Sequence, residues 1–144
     1  MVAIVDYGVG NLFSLKSSFA AIGTEAVVTH SKAELEKADS IILPGVGAFR
    51  DAAEKLKCSG LEETVISLAK DGKPLMGICL GMQLLFEKSY EYGVCDGLGL
   101  IKGEIKPIAD VIPKEYKIPH IGWNSLEMKK ASPIFESVKD GEYV

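Results

Sequence analysis

A single cysteine placed between an apolar run and a helix-forming segment limits most strongly what this chain can fold into. Residues 73–83 read K-P-L-M-G-I-C-L-G-M-Q, so Gly77 and Gly81 stand two positions before and two positions after Cys79. A strand that turns directly into a helix leaves little room for side chains, and a glycine on each side relieves the crowding. The G-x-C-x-G pattern therefore predicts a nucleophile elbow, with the Cys79 thiol clear of a sheet and backbone N–H groups beside it.

Short apolar runs alternate with segments of helical period along the first ninety residues. We predict strands over residues 2–5, 26–29, 40–43 and 75–78, and helices over residues 11–22, 48–56, 61–70 and 80–88. Ser31 and Glu34 form the pattern of a capping box for a further short helix. From Gly93 onward, glycines and prolines predict short strands and turns. The expected fold is α/β, in three layers, with a mostly parallel central sheet flanked by helices and a flavodoxin-like core.

Composition narrows the class of protein. The 144 residues are 47% hydrophobic and 25% charged, enough for one core, so we assign residues 1–144 to a single domain. A net charge of -4 without a basic block gives no support to a nucleic-acid or anionic-membrane surface, and no apolar stretch approaches a membrane span. Cys58, Cys79 and Cys95 are widely spaced and form no C-x-x-C pair. This spacing argues against a disulfide framework or a metal site and predicts a reducing cytoplasm.

Two further loops could bind a ligand through their backbone. Residues 43–49 read L-P-G-V-G-A-F, and the two glycines would let backbone N–H groups approach an oxyanion, although a plain strand-to-helix turn is the alternative. Residues 7–13 follow the first predicted strand, but Phe13 stands where a dinucleotide-binding loop needs its third glycine. We therefore predict no nicotinamide cofactor. The expectation for the whole chain is that it uses no cofactor.

A thiol nucleophile needs a base, and the chain offers only His30 and His120. His30 ends a predicted strand, where a surface or capping role is expected. His120 lies in residues 119–124, P-H-I-G-W-N, beside the only tryptophan, and this stretch is either a packed turn or a functional loop.

Together these segments resemble the triad-type (class I) glutamine amidotransferases, and among them the glutaminase subunits of imidazole glycerol phosphate synthase in histidine biosynthesis. The resemblance runs through residues 2–8, 44–49, 77–83 and 119–124, nearly the whole chain. It implies hydrolysis of L-glutamine to glutamate and ammonia. The ammonia would pass to a (β/α)₈-barrel cyclase partner, which makes imidazole glycerol phosphate and aminoimidazole carboxamide ribotide.

The resemblance also implies roles for individual residues. Cys79 would form a glutamyl thioester, while the N–H of Leu80 and an N–H of Gly45 or Val46 would hold the oxyanion. Gly47, Gln83 and Glu91 match the positions that bind the amino and carboxylate ends of glutamine in the family. Asn11, Trp123 and Asn124 match positions on the surface that faces the cyclase.

One part of the family pattern is missing. Members of the family carry a His-x-Glu pair well after the nucleophile, and these 144 residues contain none. The expectation is therefore an amidotransferase domain that is incomplete at its C-terminus and has little or no glutaminase activity by itself.

Two other functions fit parts of the pattern. The elbow cysteine could be oxidised, as in a stress sensor or chaperone-like α/β protein, although the matches at Gln83 and Glu91 argue against this. A flavodoxin-like binding module would explain the βα alternation and the glycine loops alone.

Overall fold

The computed structural model describes residues 1–144, which form two β-sheets, five α-helices and two short 3₁₀ turns. The larger sheet and its helices comprise β1 (Val2–Val5), α1 (Leu12–Ala21), β2 (Ala26–Thr29), α2 (Lys32–Lys37), β3 (Ser40–Leu43), α3 (Phe49–Cys58), α4 (Glu62–Lys70), β4 (Leu75–Gly77) and α5 (Leu80–Leu84). The smaller sheet comprises β5 (Phe86–Ser89), β6 (Cys95–Asp96) and β7 (Ile101–Ile105).

The larger sheet is entirely parallel, in the order β2-β1-β3-β4. Val2 pairs with Ala26 on one side and with Ser40 on the other. All four strands point the same way, so the loops that follow β1, β3 and β4 leave the sheet at one edge. This edge is where the predicted elbow and the predicted glycine loop meet.

The main core lies on one face of this sheet. Alternate strand residues Ala3, Val5, Ile41 and Leu43 belong to one buried apolar cluster, together with residues of α2 to α5. Helix α3 contributes one side of its surface to the cluster, through Phe49, Ala52 and Leu56. Helices α2 to α5 therefore form one of the two predicted helical layers.

The opposite face is less completely covered. Helix α1 lies there without a fully buried residue, and a groove of about 590 Å³ runs past Phe19, Ile42 and Met76. The continuous apolar run over residues 75–78 is typical of a strand buried on both faces, but the Met76 side chain is 55% exposed. The reason is that β4 is an edge strand with one open face. The predicted α/β architecture of three layers around a mostly parallel sheet is confirmed.

The predicted helix over residues 80–88 is only partly correct. Helix α5 ends at Leu84, and β5 begins two residues later. The returning chain bonds to this segment: the Leu98 N–H donates to the Leu84 carbonyl at 2.8 Å, and the Leu100 N–H donates to the Leu85 carbonyl at 2.9 Å. These distant partners take the carbonyl groups that a longer helix would have used.

The predicted capping box is also wrong. Ser31 occupies the N-cap position of α2 but makes no side-chain capping bond. The Glu34 carboxylate instead accepts a hydrogen bond from the Thr29 hydroxyl, whose oxygen accepts from the Ser31 N–H at 2.9 Å. Thr29 at the end of β2 therefore replaces Ser31 as the side chain that organises the start of α2.

Beyond β7 the chain consists of turns with most side chains exposed, apart from 3₁₀ turns at Ile108–Asp110 and Pro133–Phe135. Ser125 and Tyr143 form an isolated antiparallel bridge. None of the helices has both the length and the apolar character needed to cross a membrane.

Candidate active site

Cys79 stands at the turn between β4 and α5. Its backbone has φ 55° and ψ -119°, a left-handed conformation that non-glycine residues rarely adopt. The residue is exposed, and its thiol is free. A reactive side chain held in a strained strand-to-helix turn is the geometry of a nucleophile elbow.

The two glycines beside Cys79 are required by close backbone contacts. A Cβ on Gly77 would lie 2.6 Å from the Met82 nitrogen, and a Cβ on Gly81 would overlap the Leu43 carbonyl oxygen. Neither position has space for a side chain. The turn can therefore close only with glycine at both positions, as the G-x-C-x-G pattern predicts.

The glycine loop after β3 lies directly against this elbow. A Cβ on Gly45 would come within 2.5 Å of the Gly81 nitrogen and within 2.9 Å of the Leu80 carbonyl carbon. The backbone N–H groups of Gly45, Val46 and Leu80 donate no hydrogen bond within the chain. Gly45 and Leu80 are buried, and a buried backbone donor without a partner is rare in folded proteins. The structure thus brings unpaired donors from the glycine loop and from the first residue of α5 close to the cysteine.

Gly47 occupies the exposed part of the same loop, with φ 93° and no atom within 4 Å of the position that a Cβ would take. The glycine is needed there for its left-handed backbone and not because of crowding. The next residues lead into α3, which begins at Phe49.

Gln83 and Glu91 line one cavity of about 390 Å³, which is also bounded by residues of the segment after β7. Gln83 lies one helical turn beyond Cys79, and its N–H donates to the Cys79 carbonyl at 3.2 Å. A Glu91 carboxylate oxygen accepts from the Phe49 N–H at 2.8 Å. Glu91 therefore connects this cavity to the end of the glycine loop.

Neither histidine is hydrogen-bonded to the cysteine. His30 is exposed after β2, and the His120 ring nitrogen Nε2 is paired with the Asn124 side-chain amide at 2.9 Å. Neither ring has a carboxylate hydrogen-bonded to it. No group of three His, Cys, Asp or Glu side chains is arranged to hold a metal ion.

The three residues predicted to face a partner do not form one hydrogen-bonded cluster. Asn11 caps α1 by accepting from the Ser14 N–H at 3.2 Å. Trp123 is 80% exposed, and the Asn124 backbone pairs with Val144 in both directions at 2.9 Å. An exposed tryptophan is consistent with an interface anchor.

Sequence reasoning missed Tyr7, which the structure places at the edge of this site. Its hydroxyl donates to the Pro44 carbonyl at 2.5 Å, at the start of the glycine loop. The available signal was an aromatic residue with a polar tip two residues after a buried strand, where the side chain reaches the loop of the neighbouring strand.

Known proteins are similar to this chain in sequence and in fold. The family model of class-I glutamine amidotransferases matches residues 3–144. The imidazole glycerol phosphate synthase subunit HisH of Oceanobacillus iheyensis is 49% identical over 144 residues, which is the whole of this chain and 70% of that protein. HisH of Wolinella succinogenes is 50% identical over 145 residues, covering 71% of its length.

Solved structures agree on the fold. A crystal structure of a glutamine amidotransferase superposes with a TM-score of 0.63 at 24% identity, over 74% of this chain and 56% of the other. A putative peptidase E protein from Listeria monocytogenes has a TM-score of 0.56 at 15% identity, over 69% of this chain and 62% of the other. The elbow cysteine, the adjoining glycine loop and these matches establish that the chain belongs to the class-I glutamine amidotransferase family, among the HisH-type subunits of imidazole glycerol phosphate synthase.

Proposed function

We propose that Cys79 is the nucleophile of a glutaminase half-reaction on L-glutamine. The sulfur attacks the side-chain amide carbon, and a carbon–sulfur bond forms as the carbonyl oxygen takes up negative charge. The carbon–nitrogen bond then breaks as the nitrogen takes up the proton that the thiol has lost, and ammonia leaves. Water hydrolyses the glutamyl thioester to glutamate and restores the Cys79 thiol. The observation that carries this proposal is the exposed Cys79 thiol at a strained elbow, close to unpaired backbone donors.

The oxyanion is held by the N–H of Leu80 together with that of Gly45 or Val46. These groups make no other hydrogen bond in the chain, and the Gly45 backbone lies against the Leu80–Gly81 peptide. Donors fixed in advance stabilise the charge that develops in the transition state, and the loss of one costs about 10²–10³ in rate in comparable sites.

Glutamine lies with its two ends toward Gly47, Gln83 and Glu91. In support, Gly47 leaves open space in the loop, and the other two side chains line a common cavity. The Glu91 carboxylate accepts one hydrogen bond from Phe49 through one oxygen, and its other oxygen has no partner in the chain and can accept from the substrate ammonium.

A base is not supplied by either histidine, because neither is hydrogen-bonded to Cys79 or to an orienting carboxylate. We therefore propose that these 144 residues turn over glutamine slowly without a His-x-Glu pair. A steady-state glutaminase assay in the presence of the purified cyclase partner tests this point. Turnover at an ordinary enzymatic rate would show that another group acts as the base.

The ammonia passes to a cyclase subunit that has a (β/α)₈-barrel fold. The two subunits form a heterodimer, which acts as a lyase in histidine biosynthesis. In support, the relatives named above are subunits of imidazole glycerol phosphate synthase. Trp123, Asn124 and Asn11 face this partner, and residues 1–144 act as one domain in the cytoplasm. The three free thiols agree with a reducing compartment.

Selective alkylation tests the proposed nucleophile. The probe is the chloroketone analogue of L-glutamine, which forms a carbon–sulfur bond to a thiol as chloride leaves. We expect modification of Cys79 ahead of Cys58 and Cys95, with protection by L-glutamine and not by D-glutamine. Equal labelling of the three cysteines, or labelling that glutamine does not slow, would contradict the proposal.

A further inference from the structure

A buried phenol joins the loops that follow the two central strands. Tyr7 comes two residues after the end of β1, and its side chain is buried with 5% of its surface exposed. Its hydroxyl donates to the carbonyl of Pro44, which comes directly after β3, at 2.5 Å. The two residues are 37 positions apart, and the bond forms because β1 and β3 are parallel neighbours whose carboxyl ends share one edge.

The ring of Pro44 is packed by the same loop that carries Tyr7. A Cβ on Gly10 would lie 2.8 Å from the Pro44 Cβ and 3.1 Å from its Cγ. In the elbow, a Cβ on Gly81 would lie 2.9 Å from the Pro44 carbonyl carbon. Pro44 is therefore in contact with both the loop that follows β1 and the elbow.

The carbonyl is the only polar backbone group by which Pro44 can be held, because proline has no N–H. The carbonyl of Pro44 and the N–H of Gly45 belong to one planar peptide unit. The only cis peptide in the chain is at Ile118–Pro119, so this unit is trans, and its carbonyl and N–H point in opposite directions. A hydrogen bond that fixes the Pro44 carbonyl thus also fixes the direction of the Gly45 N–H.

We propose that Tyr7 is a positioning residue that holds the Pro44–Gly45 peptide so that the loop presents its N–H groups to the oxyanion. This inference rests on the proposed function of Cys79. Tyr7 does not touch the reacting atoms; it acts through the peptide that it orients. Burial raises the pKa of Tyr7 to about 12, so the phenol keeps its proton and remains a donor at neutral pH.

The substitution Tyr7→Phe removes the hydroxyl and keeps the ring. Alkylation by the chloroketone analogue of L-glutamine passes through an adduct whose oxygen needs the donors, whereas alkylation by iodoacetamide does not. We expect the saturating rate constant for the chloroketone to fall about tenfold or more. This is less than the loss caused by removing an oxyanion donor, because the donor stays in the loop and only its orientation is less well fixed. Its half-saturating concentration and the iodoacetamide rate should be unchanged.

Tyr90→Phe is the matched control, because the Tyr90 hydroxyl donates to Glu104 at 3.1 Å, away from the loop. We expect this variant to react with both reagents as the parent does. Equal chloroketone rates in the parent and Tyr7→Phe would overturn the inference while leaving the nucleophile in place. An equal fall with both reagents would also overturn it, since a merely structural role slows every reaction of the thiol.

A parent chain that shows no selective labelling of Cys79 would overturn the proposed function itself, and this inference with it. If Tyr7→Phe does not fold, 3,5-difluorotyrosine at residue 7 keeps the ring and the hydroxyl but ionises at lower pH. The ratio of chloroketone to iodoacetamide rates should then fall as this phenol loses its proton. A ratio that does not follow the phenol titration would overturn the inference.

Discussion

The backbone of Gly45 lies against Leu80 so closely that a Cβ built on Gly45 would come within 2.9 Å of the Leu80 carbonyl carbon. Gly45 lies in the loop after β3, and Leu80 is the first residue of α5, directly after the elbow. Their contact brings the unpaired N–H groups of the glycine loop and of Leu80 to the same edge of the sheet. The glycine thus serves both the packing of this edge and the proposed chemistry.

Gly45→Ala should destabilise the protein by about 1–3 kcal/mol, because the added methyl group must displace backbone atoms of the elbow. Urea unfolding gives the free energy directly. Gly122→Ala is the matched control, since no atom lies within 4 Å of a Cβ at Gly122. We expect this control to stay within about 0.5 kcal/mol of the parent. Equal stability of the two variants would show that the contact at Gly45 yields without cost.

Cys79→Gly should be more stable than Cys79→Ala. Both variants lose the thiol, but only alanine keeps a Cβ at φ 55° and ψ -119°. Strain of this kind costs about 1–3 kcal/mol, against about 0.4–1 kcal/mol for the greater freedom of glycine in the unfolded chain. Denaturant unfolding of the pair should favour glycine by about 1 kcal/mol. Greater stability of the alanine variant would mean that the elbow carries no strain.

Lys73→Met should destabilise the protein by about 2 kcal/mol. The Lys73 ammonium donates to the carbonyls of Leu35, Glu36 and Ala38 at 2.9, 2.6 and 2.6 Å, where α2 ends. The substitution leaves these carbonyls without a charged donor, while the apolar part of the side chain is retained. Lys70→Met is the control, because Lys70 is exposed and forms no side-chain hydrogen bond. An equally small loss of unfolding free energy in the two variants would contradict a capping role for Lys73.

The Tyr7 phenol should make stability depend on pH above about 10. Its pKa is about 12 in the folded chain, raised by burial from the ordinary value of 10.0. The folded protein therefore keeps a proton that the unfolded chain loses between these values, so stability is complete below about pH 10 and falls as pH rises toward 12. The difference in unfolding free energy between the parent and Tyr7→Phe should be constant to about pH 10 and then shift against the parent. A difference that stays constant to pH 12 would contradict burial of the phenol.

The strands of the larger sheet were accessible from sequence because each is a short apolar run between turn-forming residues. The predicted bounds of β1, β2 and β3 agree with the structure. A parallel sheet covered by helices needs such continuous apolar runs, so local sequence is informative. The elbow was accessible for a related reason, since Gly77 and Gly81 are dictated by contacts within a few residues and with the neighbouring strand.

Features that depend on residues distant in the sequence could not be predicted from it. The apolar pattern after Leu84 favours a helix. In the structure, the N–H groups of Leu98 and Leu100 bond to the carbonyls of Leu84 and Leu85, so the helix ends there and the chain continues into β5. The Tyr7 bond to Pro44 and the Glu91 bond to Phe49 join residues 37 and 42 positions apart. Periodicity carries no information about such pairs, because they form only once the sheet has placed its loops side by side.

Acylation by an activated ester tests most directly the claim that Cys79 is a nucleophile served by backbone donors. An aryl γ-ester of L-glutamate has a leaving group that needs no proton, so the reaction does not require the His-x-Glu pair. After correction for spontaneous cyclisation of the ester, we predict a burst of about one aryl alcohol per chain and a glutamyl group on Cys79 by intact-protein and peptide mass spectrometry. Cys79→Ala should show no burst. A burst that persists in Cys79→Ala, or a parent chain that is not acylated at Cys79, would contradict the account.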